Sequence, residues 1–144
     1  MPHPERESAA IASMVRDPEI ERIAVAEAMK FERERGWVPE SVESENRGYD
    51  ILSKKPHPTE PGVFSAARFI EVKGRAITAE VALTENEYRT AQRLGEDFWL
   101  YAVFDCGTSP KLNAIQDPAR LGWKPIVKIE HYLVGANEII KAAG

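Results

Sequence analysis

The segment Phe98–Phe104 constrains the fold more than any other stretch, because it is an almost uninterrupted run of aromatic and aliphatic residues. A short apolar run of this kind is typical of a β-strand that is covered on both faces. The chain has 144 residues, of which 43% are hydrophobic, so it is long enough to bury one substantial core. We therefore predict an α/β fold with this strand as the buried centre of its sheet.

Two helices are predicted to provide the covering layers. The first begins at Asp17, a good N-cap residue followed by proline, and ends before Gly36, which favours a left-handed stop. The second begins at Thr84, which forms a capping-box spacing with Glu87, and ends at Gly95. The apolar stripe of the first helix consists of Ile20, Ile23, Ala24, Ala28 and Phe31.

Period-two patterns and turn residues predict the remaining elements. Residues 1–16 show no firm periodicity and are interpreted as a flexible leader or a cut end, and residues 17–144 as a single domain. We predict further strands at 37–42, 49–52, 65–73, 79–83, 112–115 and 123–132, a turn at 117–122, and a short helix at 137–143.

Composition excludes several classes of protein. The net charge of −4 argues against a surface that attracts nucleic acid or anionic membrane along its whole extent. The three histidines are too far apart for zinc-ligand spacing, and no apolar run approaches the length of a membrane span. With a single cysteine and no signal-peptide pattern, we expect a cytoplasmic protein without disulfides.

Glu71 and Lys73 form the most suggestive chemical pattern. Alternation along a strand places both side chains on one face, opposite Ile70 and Val72. Asp50 begins the preceding strand, so a hairpin would bring it close. Two carboxylates suit a divalent cation, and a lysine beside them can orient a water. The alternatives are charges on a solvated strand face, and an aspartate that caps backbone amides.

Acids on the two helices are further candidates. Glu27 falls in the middle of the apolar stripe of the first helix, which is an unusual place for a carboxylate. Glu32 lies on an adjacent flank, where a solvated edge or an ion pair with an arginine is the alternative to a role in a site. Glu87 has a sufficient structural explanation as a member of the capping box, with a site role as the alternative.

Several motifs also follow one another in a recognisable order after the Glu-rich first helix. They are Arg47–Ile51, Ile70–Arg75, Leu83-Thr84-x-x-Glu87, and the run from Ala91 to Val103. Together they resemble the NO VEIN C-terminal domain family, over roughly residues 19–119. That family is placed in the PD-(D/E)xK restriction-endonuclease-like superfamily, so the resemblance implies a mixed β-sheet flanked by helices.

The resemblance also implies roles for individual residues. Asp50 would be the metal-binding aspartate, Glu71 the second metal-binding acid and Lys73 the catalytic lysine, with Mg²⁺ or Mn²⁺ as cofactor. Tyr49 replaces the proline usually written before the aspartate. The Phe-Glu pattern ahead of a glycine favours Glu32 as the helix acid, whereas helical geometry favours Glu27. Candidates for phosphate contacts are Arg47 and Arg75, although exposed arginines are usually plain surface.

Two functions are consistent with these features. The first is a Mg²⁺-dependent nuclease module that hydrolyses DNA, attached to or working with a helicase or ATPase in restriction, defence or repair. A homodimer would suit an enzyme that cuts two strands. The second is a catalytically inactive nuclease fold that binds nucleic acid or docks onto another protein. The intact set of two acids and a lysine favours the first, since an acid pair repels itself without a metal.

Overall fold

The computed structural model describes residues 17–126 and 131–144. Residues 17–123 belong to one compact unit, whereas residues 124–126 and 131–144 belong to a second unit. The first unit contains α1 (Pro18–Glu34), β1 (Val38–Ser41), β2 (Ile51–Pro56), β3 (Phe64–Gly74), α2 (Glu85–Leu94), β4 (Phe98–Phe104) and β5 (Lys111–Gln116). Short 3-10 turns lie at Glu43–Glu45, Gly95–Asp97 and Pro118–Arg120, and the second unit contains α3 (Ala136–Ala143).

The strands of the first unit form one mixed sheet in the order β1-β2-β3-β4-β5. All neighbouring pairs are antiparallel except β3 and β4, which run parallel and are joined by the crossover through α2. This arrangement confirms the predicted α/β class and is consistent with a restriction-endonuclease-like fold. The middle strand is β3, and the apolar β4 lies beside it, so the position predicted for Phe98–Phe104 was one strand off.

Helix α1 covers one face of the sheet. Ala24 and Ala28 are fully buried against Ile70 and Val72 of β3. The helix approaches the strand closely, because a Cβ atom added at Gly74 would lie 2.7 Å from the Cβ of Ala24. The predicted cap is confirmed, with the Asp17 carboxylate accepting backbone N–H groups of the first turn.

Helix α2 covers part of the opposite face. Ala91 packs there with Tyr49 and Phe98 in a second, smaller core cluster. The predicted capping box is present at its N-terminus. The turn before β2 also presses on this helix: Gly48 has a φ of +84°, and a Cβ at that position would overlap the Thr90 hydroxyl.

Two predicted strands are wrong where the structure describes them. Residues 79–83 are outside any strand, because the chain leaves the sheet here for the crossover through α2 that lets β4 run parallel to β3. Residues 123–126 and 131–132 are also outside any strand, and residues 127–130 lie outside the described part of the chain. The predicted terminal helix is confirmed as α3.

The predicted leader, residues 1–16, also lies outside the described residues. The single domain predicted for residues 17–144 stays a prediction. None of the described helices has the length and apolar character needed to cross a membrane.

We predict that Gly48→Ala destabilises the protein more than Gly62→Ala. Both glycines have positive φ, so both substitutions carry the backbone strain of a left-handed alanine. Only Gly48 meets a neighbouring side chain, because nothing lies within 4 Å of a Cβ at Gly62. The extra overlap should lower the free energy of unfolding by a further ~1–3 kcal/mol, measured by urea denaturation. Equal losses for the two variants would contradict the close packing of this turn against α2.

Candidate active site

Asp50 is held at the start of β2 by two contacts with β3. Its backbone N–H donates to the Ile70 carbonyl at 2.8 Å. Its Oδ2 accepts the backbone N–H of Val72, also at 2.8 Å. The antiparallel register of the hairpin, in which Ile51 pairs with Ile70, places Asp50 next to Glu71. The predicted closeness of these two strands is confirmed, and the capping of a backbone amide by Asp50 is present as well.

Glu71 is a buried carboxyl group in a polar pocket. Its side chain is almost completely enclosed, the residue being 2% exposed. Oε1 lies 3.3 Å from Lys73 Nζ, whereas the buried Oε2 has no hydrogen-bond partner. Burial raises the pKa of Glu71 to about 11, and the neighbouring carboxylates of Asp50 and Glu87 add to this effect. Glu71 is therefore protonated at neutral pH as long as no metal ion is bound beside it.

Burial also raises the pKa of Asp50, although the hydrogen bond from Val72 opposes this shift. The pKa of Lys73 behaves differently. Burial lowers it, but the attraction of Glu71 and Glu87 outweighs the burial and leaves the pKa above its ordinary value. Lys73 is consequently a permanent cation at neutral pH, and it stands among three carboxyl groups.

Glu87 joins the cluster from the first turn of α2. Its Oε1 lies 2.9 Å from Lys73 Nζ and accepts the Thr84 backbone N–H at 2.8 Å. Although burial acts to raise the pKa of Glu87, hydrogen bonds and the charge of Lys73 lower it overall. The capping contact favoured by the sequence is present, and the same oxygen atom also contacts Lys73, whereas a site role for Glu87 stays a prediction.

These groups face an open pocket of about 430 Å³, a size usual for ligand sites. The turn before β2, strand β3 and the N-terminus of α2 form its walls. Asp50, Glu71 and Glu87 line it together with the amides of Asn46 and Asn86, which the sequence did not single out. Asn46 had only the signal of a turn residue, and Asn86 that of a polar residue in the first turn of a helix.

The oxygen-rich lining fits a hard divalent cation. The Oε2 atom of Glu71 is a buried oxygen that accepts no hydrogen bond from the described residues, and the Glu71 carboxyl group interacts with those of Asp50 and Glu87. Among the residues that the structure describes, no group of three or more His, Cys, Asp or Glu side chains is spaced to hold a metal ion. A cation here would therefore rest on the two predicted carboxylates, Asp50 and Glu71, and keep water on its other positions, as Mg²⁺ usually does.

The structure does not bring Glu32 to this pocket. Glu32 lies with α1 on the opposite face, where it is 0% exposed. Its Oε2 accepts the Tyr101 hydroxyl at 2.8 Å and lies 3.6 Å from Arg68 Nη1. The Arg68 guanidinium is in turn stacked between Trp37 and Trp99, at 4.5 and 4.1 Å from the ring centroids. The ion pair with an arginine, which the sequence left open, is the arrangement found.

The other predicted residues also lie outside the cluster. Glu27, on α1, is near Cys106 in the core that this helix covers. Arg47 is exposed beside the pocket turn and pairs with Glu45 at 2.9 Å. Arg75 follows β3 and donates its backbone N–H to the Val103 carbonyl at 2.9 Å. Neither arginine lines the pocket, and their contacts with phosphate stay predictions.

We predict that the stability of the metal-free protein falls as the pH rises from 5 to 9, and that Glu71→Gln removes much of this dependence. The folded protein keeps the proton of Glu71 up to a pKa of about 11, whereas the unfolded chain releases it near 4.5. The contribution of this proton to folding stability is therefore complete below pH 4.5. It is lost as the pH rises from 4.5 toward about 11, by at most ~1.4 kcal/mol per pH unit.

Thermal unfolding of both proteins across this pH range, in the presence of a chelator, tests the expectation. Glu85→Gln is a matched control, because Glu85 is exposed and lies at the start of the neighbouring helix. Parallel pH profiles for wild type and Glu71→Gln would show that Glu71 does not hold a proton.

Comparison with known proteins places the chain in a family. No curated protein and no solved structure matches it. The profile of the family described as "Protein NO VEIN, C-terminal" matches residues 20–115, which is most of the described sheet and both helices that flank it. The chain therefore belongs to the NO VEIN C-terminal family.

Proposed function

We propose that this domain is a divalent-cation-dependent nuclease module that hydrolyses phosphodiester bonds in DNA. The convergence of Asp50 and Glu71 on one open pocket, with Lys73 Nζ 3.3 Å from Glu71 Oε1, is the observation that carries the proposal. Family membership is consistent with it, since the resemblance to PD-(D/E)xK enzymes rests on the same three residues.

In this function Asp50 and Glu71 would hold Mg²⁺ or Mn²⁺. The cation, when bound, supplies Lewis-acid polarisation of the scissile phosphate and a lower pKa for the attacking water. Glu71 has to release its proton as the cation is taken up, so uptake is favoured at higher pH. Asp50 remains oriented by its hydrogen bond from Val72, which leaves its other oxygen for the cation.

Lys73 supplies the positive charge of the reaction. Its ammonium group lies 3.3 Å from Glu71 Oε1, beside the carboxylates that would bind the cation. From there it can donate a hydrogen bond that orients the water, and it can stabilise the negative charge that develops on the phosphate. Because its pKa is raised, it acts as a donor and an electrostatic stabiliser, and a role as general base is disfavoured.

The charge of the chain suggests how DNA would be delivered. The net charge is −4, and the pocket is lined by several acids, so the domain attracts phosphates weakly by itself. A helicase or ATPase, in the same chain or as a partner, would supply affinity and bring the strand to the pocket. Arg47, at the edge of the pocket turn, is the candidate for a local phosphate contact.

One observation favours the second function, a nuclease-like fold that only binds or docks. The acid expected from the first helix is committed to Tyr101 and Arg68 on the far face. The pocket therefore lacks one acid that the resemblance implied. Glu87 occupies the pocket in its place, however, and the acid pair with its lysine is otherwise intact.

We expect Mn²⁺ or Mg²⁺ to raise the melting temperature of the wild-type protein and to support cleavage of plasmid or single-stranded DNA. Stabilisation should amount to ~1.4 kcal/mol when the cation is at about ten times its dissociation constant. Asp50→Asn should abolish both effects, because it removes one ligand charge. Asp97→Asn, an equivalent change in an exposed turn, serves as the control. Cleavage by Asp50→Asn at the wild-type rate would exclude this site.

Lys73→Met is expected to separate binding from chemistry. The substitution removes the ammonium group and keeps much of the apolar stem, so cation-induced stabilisation should persist. The turnover rate should fall by ~100-fold or more, in line with the loss of one preorganised donor. Single-turnover cleavage assays and thermal shifts on the same preparation measure the two quantities. A variant that retains the wild-type rate would contradict the role given to Lys73.

A further inference from the structure

We propose that Glu87 is the positioning residue for Lys73, and that it makes the first turn of α2 part of the active site. The inference rests on the proposed nuclease function, which it deepens by naming the group that holds the lysine. Its basis is the geometry of Glu87 Oε1, which accepts hydrogen bonds from both the helix N-cap and Lys73.

Glu87 Oε1 lies at the centre of this arrangement. It is 2.9 Å from Lys73 Nζ and 2.8 Å from the Thr84 backbone N–H. In return, the Glu87 backbone N–H donates to Thr84 Oγ1 at 3.1 Å. The carboxylate is therefore fixed by its own helix before it contacts the lysine. A long flexible lysine gains a defined position from a partner that is already ordered.

The competing contact explains why such a partner is needed. Lys73 Nζ lies 3.3 Å from Glu71 Oε1, which is longer than its 2.9 Å contact with Glu87. Without Glu87, the nearest remaining carboxyl group to the ammonium would be that of Glu71, which becomes anionic when it gives up its proton to a cation. A closer Lys73–Glu71 pair would occupy the carboxylate that the cation requires. Glu87 thus holds the lysine beside Glu71 and keeps Glu71 available.

Burial makes the contact more than a surface ion pair. The Lys73 and Glu87 side chains are only 25% and 16% exposed. The helix that carries Glu87 is itself anchored, since Ala91 is fully buried and Gly48 packs against Thr90. By contrast, Glu85 in the same turn is 76% exposed and pairs with Arg89 along the helix surface. Two glutamates of one turn therefore offer a matched comparison.

The capping role alone does not require a carboxylate. A glutamine at this position of a capping box reaches back to the same backbone N–H. Glu87→Gln should therefore keep the helix N-terminus and remove the negative charge that holds Lys73. Glu85→Gln makes the same change of charge in the same turn, away from the pocket.

The experiment compares wild type, Glu87→Gln and Glu85→Gln in two assays. The first follows the Lys73 side-chain ammonium signal in ¹⁵N-labelled, metal-free protein, where a held and buried ammonium exchanges its protons slowly. The second measures kcat and KM for cleavage of single-stranded DNA with Mn²⁺. We expect Glu87→Gln to melt within a few degrees of wild type, to lose or shift the Lys73 signal, and to lower kcat by about tenfold with little change in KM. Glu85→Gln should match wild type in both assays.

A double variant keeps the test decisive if Glu87→Gln is less stable than expected. In a Lys73→Met background, Glu87→Gln should lower the melting temperature by less than it does alone, because its partner is already gone. Additive losses, an unchanged Lys73 signal, or a wild-type kcat for Glu87→Gln would each overturn the positioning role and leave the proposed function standing. Failure of the wild-type protein to cleave with either cation would instead remove the proposed function, and this inference with it.

Discussion

The alternation of side chains along β3 is the constraint on which the rest of the molecule depends. Ile70 and Val72 point toward α1 and join the main core. On the opposite face, Glu71 lines the pocket beside α2, and Lys73 contacts Glu87 of that helix. Because β3 is the middle strand, paired on both edges, its backbone cannot shift without breaking two ladders. The spacing of Glu71 and Lys73 is therefore fixed by the packing of Ile70 and Val72 in the core.

Each face of the sheet also buries a network of charged side chains, and the two networks differ in how the buried charges are paired. On the α1 face, Glu32 is matched by Tyr101 and Arg68, and the stacked tryptophans enclose the guanidinium. On the α2 face, the charge of Lys73 is shared between Glu71 and Glu87. In the first network, the ion pair of Glu32 with Arg68 links α1 to the sheet and leaves neither charge unpaired. The second contains more carboxyl groups than cations, and burial, reinforced by the neighbouring carboxylates, raises the pKa of Glu71.

Local patterns predicted much of this correctly. Alternation and the expected hairpin were enough to place Asp50 beside Glu71 and Lys73, because pairing between neighbouring strands is a short-range consequence of the sequence. The position of Glu32 needed more. Helical periodicity shows that an acid lies beside an apolar stripe, but it cannot show which face of the sheet the helix will cover. The strand predicted at residues 79–83 is wrong for a related reason, since a local pattern does not reveal that the segment leaves the sheet for the crossover to α2.

Three buried polar side-chain atoms of the described residues have no hydrogen-bond partner, and their surroundings differ. They are Glu32 Oε1, Ser53 Oγ and Glu71 Oε2, and each buried orphan costs ~1–3 kcal/mol. Glu32 is fully enclosed, and its other oxygen already has a hydroxyl donor. Glu71 lines an open pocket beside Asp50 and Glu87, although its Oε2 atom is itself buried. A glutamine there would avoid the charge at little cost in shape. The carboxyl group keeps a proton that a glutamine would lack, and the proposed uptake of a cation depends on the release of that proton.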